Sequence, residues 1–346
     1  MTIAGVAAGG ARIARFRPEG KCLWEHMALM FCDVGNYSAK RPDEVLTQRF
    51  HRLAVDRKTG AWSYRGTALD GDAKLLWGNH GVLRFVQLGD TEFVYQCYGD
   101  GMQIFRPREG LYRRAAAIGG NEPSPDGKFN HDLPGDARKG PGWWSWADAD
   151  GDGAIGAAEV AWVKQPGEAR YALFGMNADA KGNLLYCEHH TQAIRELPLA
   201  RLDAAGNPVY DWGQAHEVVP RDATPVKFQP LMAVRSDDGS IYAMGRSGLW
   251  PAPGGKEAGW IWMGGWALAR YDREGRRLWI TKVPVVCPGI CEIPGGKGVM
   301  LGYYRDGHVY HYEPGGLLVG VAKLGAPAGN QTGWMDNTAA LAVNRD

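Results

Sequence analysis

Short runs in which apolar and polar residues alternate recur along the chain, each bounded by Gly, Asp or Asn, and this two-residue period predicts β-strands joined by tight turns. The runs are copies of one another. Ile13 to Trp24 aligns without gaps on Leu268 to Trp279, and a third copy runs from Leu199 to Tyr210. Weaker copies lie at Arg52 to Gly60, Ile104 to Gly110 and Tyr310 to Gly316. The turn glycines fall at positions 20, 60, 110, 206, 275 and 316, so the intervals are 40, 50, 96, 69 and 41. The base period is about forty residues, with insertions in two intervals. Each copy reads as a hairpin, and a second hairpin precedes it in several units: Asp179 to Asn183 leads into Leu184 to Cys187, and Asp237 to Ser240 leads into Ile241 to Met244.

Four strands per forty residues is the size of a propeller blade, so the pattern predicts an all-β chain, residues 1–346, folded as a single β-propeller. Six blades follow from six copies; seven or eight also fit, because the interval of 96 has room for a degenerate blade. Thr338 to Asp346 reads as an innermost strand and Ile3 to Ala8 as a second strand, so the two ends are expected to complete one blade and remove open sheet edges. A β-sandwich or two small β domains would be the plainer alternatives. Units of the form Asp-x-x-Gly-Asn, strand, Asp-x-x-Gly resemble the NHL and SMP-30-like six-bladed propellers, and Tyr271 to Trp279 also resembles PQQ-type repeats. That resemblance implies the fold more firmly than an activity, since such propellers host lactonases, lyases, dehydrogenases and binding scaffolds.

One segment, residues 116–168, does not follow the repeat and carries a specific motif. Asp148 to Glu159 matches the twelve-residue EF-hand loop: Asp148, Asp150 and Asp152 at positions 1, 3 and 5, Gly153 at the sharp turn, the Ala154 carbonyl at 7 and Glu159 at 12. Oxygen ligands at that spacing suit Ca²⁺. Pro141-Gly142 ahead of Trp143 leaves little room for an entering helix, and Val160 to Val163 suggests a short exiting one. A single loop of this kind is expected to be structural, with a dissociation constant of about 10⁻⁴ to 10⁻³ M, which suits an extracellular or periplasmic protein. The loop is expected to stiffen a long insertion over the functional face.

That face is expected where second strands end and innermost strands begin. Glu188, His189, His190 and His80 are candidate acid, base or metal-binding groups there, and could hold a second divalent metal. Trp144, Trp262, Arg246, Arg305 and Tyr98 are candidates for substrate contact, because tryptophans in the two insertions are not required by the repeat. Gly-x-Ser-x-Gly, His-Glu-x-x-His and P-loop fingerprints are absent from the sequence.

Composition narrows the partners. Lys+Arg 39 against Asp+Glu 38 gives a net charge of +1, which removes the basic field on which nucleic-acid binding depends. No apolar run is long enough for a membrane helix. The first eight residues lack the basic and apolar regions of a signal peptide, so any export signal has been removed or never existed. Six cysteines without a CxxC pair fit either disulfides or buried thiols. The sequence therefore points to a monomeric, exported, calcium-binding propeller that binds or acts on a carbohydrate or related small polar molecule, as a lyase or hydrolase if it is an enzyme. A non-catalytic scaffold for a protein or glycan is one alternative. A metal-dependent lactonase or ester hydrolase using Glu188, Asn79 and Asp306, as the SMP-30-like resemblance implies, is another.

Overall fold

In the computed structural model, the described residues are 35–70, 82–98, 101–121, 133, 142–163, 175–188, 192–221, 227–251, 265–287, 289–302 and 308–322, with residues 2–7, 10–16 and 22–27 described as backbone strands. Among them every long element is a strand, and no helix is long and apolar enough to cross a membrane. The strands form a β-propeller. The N-terminal sheet holds β1 (Thr2–Ala7), β2 (Gly10–Phe16) and β3 (Cys22–Met27), in that order. Blade 1 holds β4 (Gly35–Ser38), β5 (Arg41–Thr47), β6 (His51–Val55) and β7 (Trp62–Thr67).

Blade 2 begins with β8 (Val82–Leu88), β9 (Thr91–Tyr98), β10 (Gly101–Arg108) and β11 (Leu111–Asn121). Its sheet then continues outward through β12 (Gly142–Ala147) and β13 (Val160–Val163) to six strands. Blade 3 holds β14 (Asn177–Ala178), β15 (Leu184–Cys187), β16 (Ile194–Leu197) and β19 (His216–Val219), with a small hairpin of β17 (Leu199–Leu202) and β18 (Pro208–Tyr210) set between the last two. Blade 4 is β20 (Phe228–Arg235), β21 (Ile241–Ser247), β22 (Gly265–Tyr271) and β23 (Arg277–Cys287). Blade 5 is β24 (Gly289–Glu292), β25 (Val299–Gly302), β26 (Val309–Tyr312) and β27 (Leu318–Ala322). Neighbouring strands in every sheet pair antiparallel.

The sequence repeat is the hairpin of third and fourth strands or, in blade 3, the hairpin inserted between them. It reappears as β6–β7, β10–β11, β17–β18, β22–β23 and β26–β27, and Gly60, Gly110, Gly206, Gly275 and Gly316 all have φ between 77° and 89°. That left-handed conformation is the reason each turn ends in glycine. The interval of 96 holds no further blade among the described residues; β12, β13 and the Asp-rich loop between them occupy part of it. Five blades are thus present with four or more strands, and the N-terminal sheet supplies strands that correspond to the second, third and fourth of another. Thr338 to Asp346, expected to be its innermost strand, lies outside the described residues.

Large buried side chains fill the seams between blades. The main cluster takes Tyr95 and Trp143 from blade 2, Tyr186, Tyr210 and Trp212 from blade 3, Tyr242 and Met244 from blade 4 and Leu301 and Tyr312 from blade 5. Polar bonds cross the same seams near the axis: Asn36 Nδ2 donates to Leu83 O at 2.7 Å between blades 1 and 2, and Asn177 Nδ2 donates to Ala233 O at 3.0 Å between blades 3 and 4. Each gives an inner-strand carbonyl a donor from the neighbouring blade.

Candidate functional site

The loop from Asp148 to Glu159 joins β12 to β13. Asp148, Asp150 and Asp152 bring one carboxylate oxygen each to within 4.8 Å of one another. Asp148 is buried, and its Oδ1 accepts from Gly153 N–H at 3.0 Å. Burial raises its pKa above the usual carboxylate range, and repulsion from Glu159, Asp152 and Asp150 adds to the rise against the Gly153 hydrogen bond. Glu159 stands outside the three-aspartate group. Its carboxylate accepts from Trp146 Nε1 at 2.7 Å and from Ala149 N–H at 2.8 Å, closing the loop onto its own start. A single 3₁₀ turn, Ala157–Glu159, follows, and Val160 to Val163 is the strand β13 rather than the short helix expected from sequence. Its residues pair with Trp143 to Trp146, and backbone pairing to a neighbouring strand decides their conformation.

The loop is tied into two elements. Asn207 Nδ2, in the β17–β18 turn of blade 3, donates to Asp148 O at 2.6 Å, while Arg106 Nη1 donates to Asn207 Oδ1 at 3.0 Å. Arg113 Nη1 donates to Gly151 O at 2.7 Å and its Nε donates to Asp70 Oδ2 at the same distance. These contacts put the loop on the side of the hairpin turns, at the outer rim, opposite the face it was expected to cover.

The expected channel-mouth residues are only partly described. His80, His189, His190, Arg305 and Trp262 lie outside the described residues, as do Asn79 and Asp306, and Tyr98 is placed as the end of β9 without its side chain. Glu188 is buried at the end of β15, with Arg195 Nη1 3.7 Å from its Oε2. Arg246 lies 6.0 Å over the Trp266 ring, and burial lowers its pKa below the usual guanidinium value. It faces Gln229 across the β20–β21 pair. Trp144 offers no surface to a ligand: it is fully buried with Ala117, Leu133, Trp146, Ile155 and Val160. Its neighbour Trp143 stacks on Trp212 at 4.3 Å. These tryptophans pack the added strands of blade 2, so that part of the aromatic-contact expectation is corrected. Cys97, Cys187, Cys287 and Cys291 are buried.

Sequence reasoning missed the other end of the channel. A cavity of about 350 Å³ lies where the innermost strands run into their first turns, lined from four blades by Asn36, Tyr37, Arg84, Glu92, Asp179 and Glu292 among others. Arg84 of blade 2 grips Glu292 of blade 5 with two bonds, Nη1 to Oε1 and Nη2 to Oε2, both 2.9 Å. Burial works against the Arg84 charge, but the Glu292 carboxylate more than offsets it and raises the pKa above the ordinary value. With the N-terminal sheet counted as a sixth blade, blades 2 and 5 stand opposite one another, so the pair crosses the channel. Around it Glu92 accepts from Ser38 Oγ at 2.7 and 2.8 Å, and Asp179 Oδ1 accepts from the backbone N–H of Lys181 and Asn183. The signal in the sequence was Arg84 itself, a charge interrupting the apolar run from Val82 to Val86.

No family model matches the chain, and no curated protein sequence matches it. Solved structures do. A functionally unknown protein from Desulfotomaculum acetoxidans is similar at TM-score 0.53 and 10% identity, over 93% of this chain and 95% of that one. Virginiamycin B lyase from Staphylococcus aureus is similar at TM-score 0.45 and 10% identity, over 95% and 87% of the two chains. AztD from Citrobacter koseri is similar at TM-score 0.43 and 13% identity, over 94% and 82%. At these identities the likeness is one of fold.

Proposed function

We propose that this protein is an exported, calcium-binding β-propeller whose central channel binds or acts on a carbohydrate or a related small polar molecule. The observation that carries the ligand reading is the channel cavity, where four blades contribute carboxylates, an amide, a guanidinium and aromatic rings to one concave surface. Planar polar groups of this kind exchange hydrogen bonds with hydroxyls, and the aromatic rings cover apolar ring faces. A thermal-shift screen of neutral, acidic and amino mono- and disaccharides tests it: at least one should raise Tm as its concentration rises. A panel that leaves Tm unmoved would overturn the reading.

The calcium part rests on the donor set. Three aspartate oxygens, the Ala154 carbonyl and a swung-in Glu159 would supply a hard cation with the oxygen ligands it needs, and the ion would neutralise the carboxylate repulsion that adds to burial in raising the Asp148 pKa. Its work would be to hold β12–β13 and the Asn207 turn in place, and a weak site of this type would be filled outside the cytosol. Calcium should raise the parent's Tm in proportion to RT ln(1 + [Ca]/Kd), whereas Glu159→Gln should respond far less. Equal responses would refute the site.

A further inference from the structure

We propose that the ligand sits at the turn end of the channel, in the cup floored by the Arg84–Glu292 pair, and that it is an uncharged polyhydroxylated ring of about monosaccharide size. This inference rests on the reading of the channel as a site for a small polar molecule and fixes its end and its charge.

The size follows from the cavity, whose roughly 350 Å³ lies at the small end of the approximately 300–1,000 Å³ usual for ligand sites. The charge follows from the pairing of every ionic group on its wall. The Arg84 charge is paired by Glu292 through both terminal nitrogens, while its buried Nε–H has no acceptor; Glu92 has Arg41 Nη2 at 3.7 Å, and Asp179 has Arg235 Nε at 3.9 Å, with Arg235 also bonded to Glu196. An anionic ligand would have to displace Glu292 from Arg84 and leave a buried carboxylate unpaired, while a cationic one would compete with three guanidinium groups already in place. A neutral ligand does neither. Carboxylate oxygens keep lone pairs after accepting one or two bonds, so Glu92, Asp179 and Glu292 can still accept from hydroxyls. Gln87, bonded to Gly89 O at 2.6 Å, adds an amide, and Tyr37 and Phe85 add aromatic surface. Entry is from the turn side, because Arg84–Glu292 bars the way across the axis.

Two exposed alanines on the cavity wall, Ala39 and Ala180, stand in turns and allow the cup to be filled without touching the core. Isothermal titration with D-glucose, D-galactose, D-mannose and L-rhamnose should find a sugar that binds the parent. Ala39→Trp or Ala180→Trp should weaken it at least about tenfold at unchanged circular dichroism and Tm, and Gln87→Ala should weaken it less. A sugar whose affinity is kept in both tryptophan variants but falls in Arg246→Ala sits at the opposite mouth; this inference then fails and the proposed function stands. If none of the four sugars binds the parent, while a charged sugar acid or amino sugar does, the neutral-ligand inference fails alone. If none of these binds, both fail.

Discussion

Gly206 and Gly275 hold the same place in two repeat hairpins, with φ of 82° and 79°, yet their surroundings differ. A Cβ on Gly206 would meet nothing within 4 Å, whereas one on Gly275 would stand 2.1 Å from Val218 O in blade 3. Both positions need the left-handed backbone, but only Gly275 also needs the missing side chain, because the neighbouring blade's backbone runs against it. Gly206→Ala should therefore cost about 1 kcal/mol, the left-handed penalty alone. Gly275→Ala should add overpacking of about 1–3 kcal/mol or more to the same penalty. Urea midpoints compared at constant m-value measure both; equal losses would mean the seam yields freely at Gly275.

At the scale of the element, blades 2 and 3 are joined by a buried relay: Tyr95 Oη donates to Tyr210 Oη at 2.9 Å, and Tyr210 Oη donates to Gly182 O at 2.6 Å. Burial raises both phenol pKa values above the ordinary figure of about 10. The unfolded chain therefore releases these protons as pH climbs past about 10 while the folded chain keeps them, so stability present below that pH is lost above it. Tm should fall more steeply above pH 10 in the parent than in Tyr95→Phe/Tyr210→Phe; parallel curves would show that the pair does not titrate differently on folding. The repeat hairpins, among them β17–β18 with Tyr210, were legible because a turn that demands φ > 0 leaves a glycine at a fixed place in each copy. The added strands of blade 2 were not. Trp143 to Trp146 has no clean alternation because its residues are buried on both faces, and β12 finds its partner β11 only across a long insertion.

The whole ring poses the question of what crosses its axis. Arg84 and Glu292 lie 208 positions apart, and neither belongs to a motif, so no local spacing could announce them. Only closure of the ring brings opposite inner strands together. The aspartate cluster of residues 148–152, by contrast, was legible because its carboxylates fall within a few consecutive residues; its location was not, since that depends on how blade 2 meets blade 3. The Arg84–Glu292 pair is largely shielded, with side-chain exposures of 14% and 12%, so its energetics are those of a buried pair. Glu292→Ala would leave the guanidinium without its bidentate partner and should cost about 3–5 kcal/mol, whereas Arg84→Met/Glu292→Leu removes both charges together and should recover most of that loss. Because water screens the pair little, the single-variant loss should change little with added salt. A double variant as unstable as the sum of the two single ones would mean that the charges act independently, and that the channel is not held across its diameter by this contact.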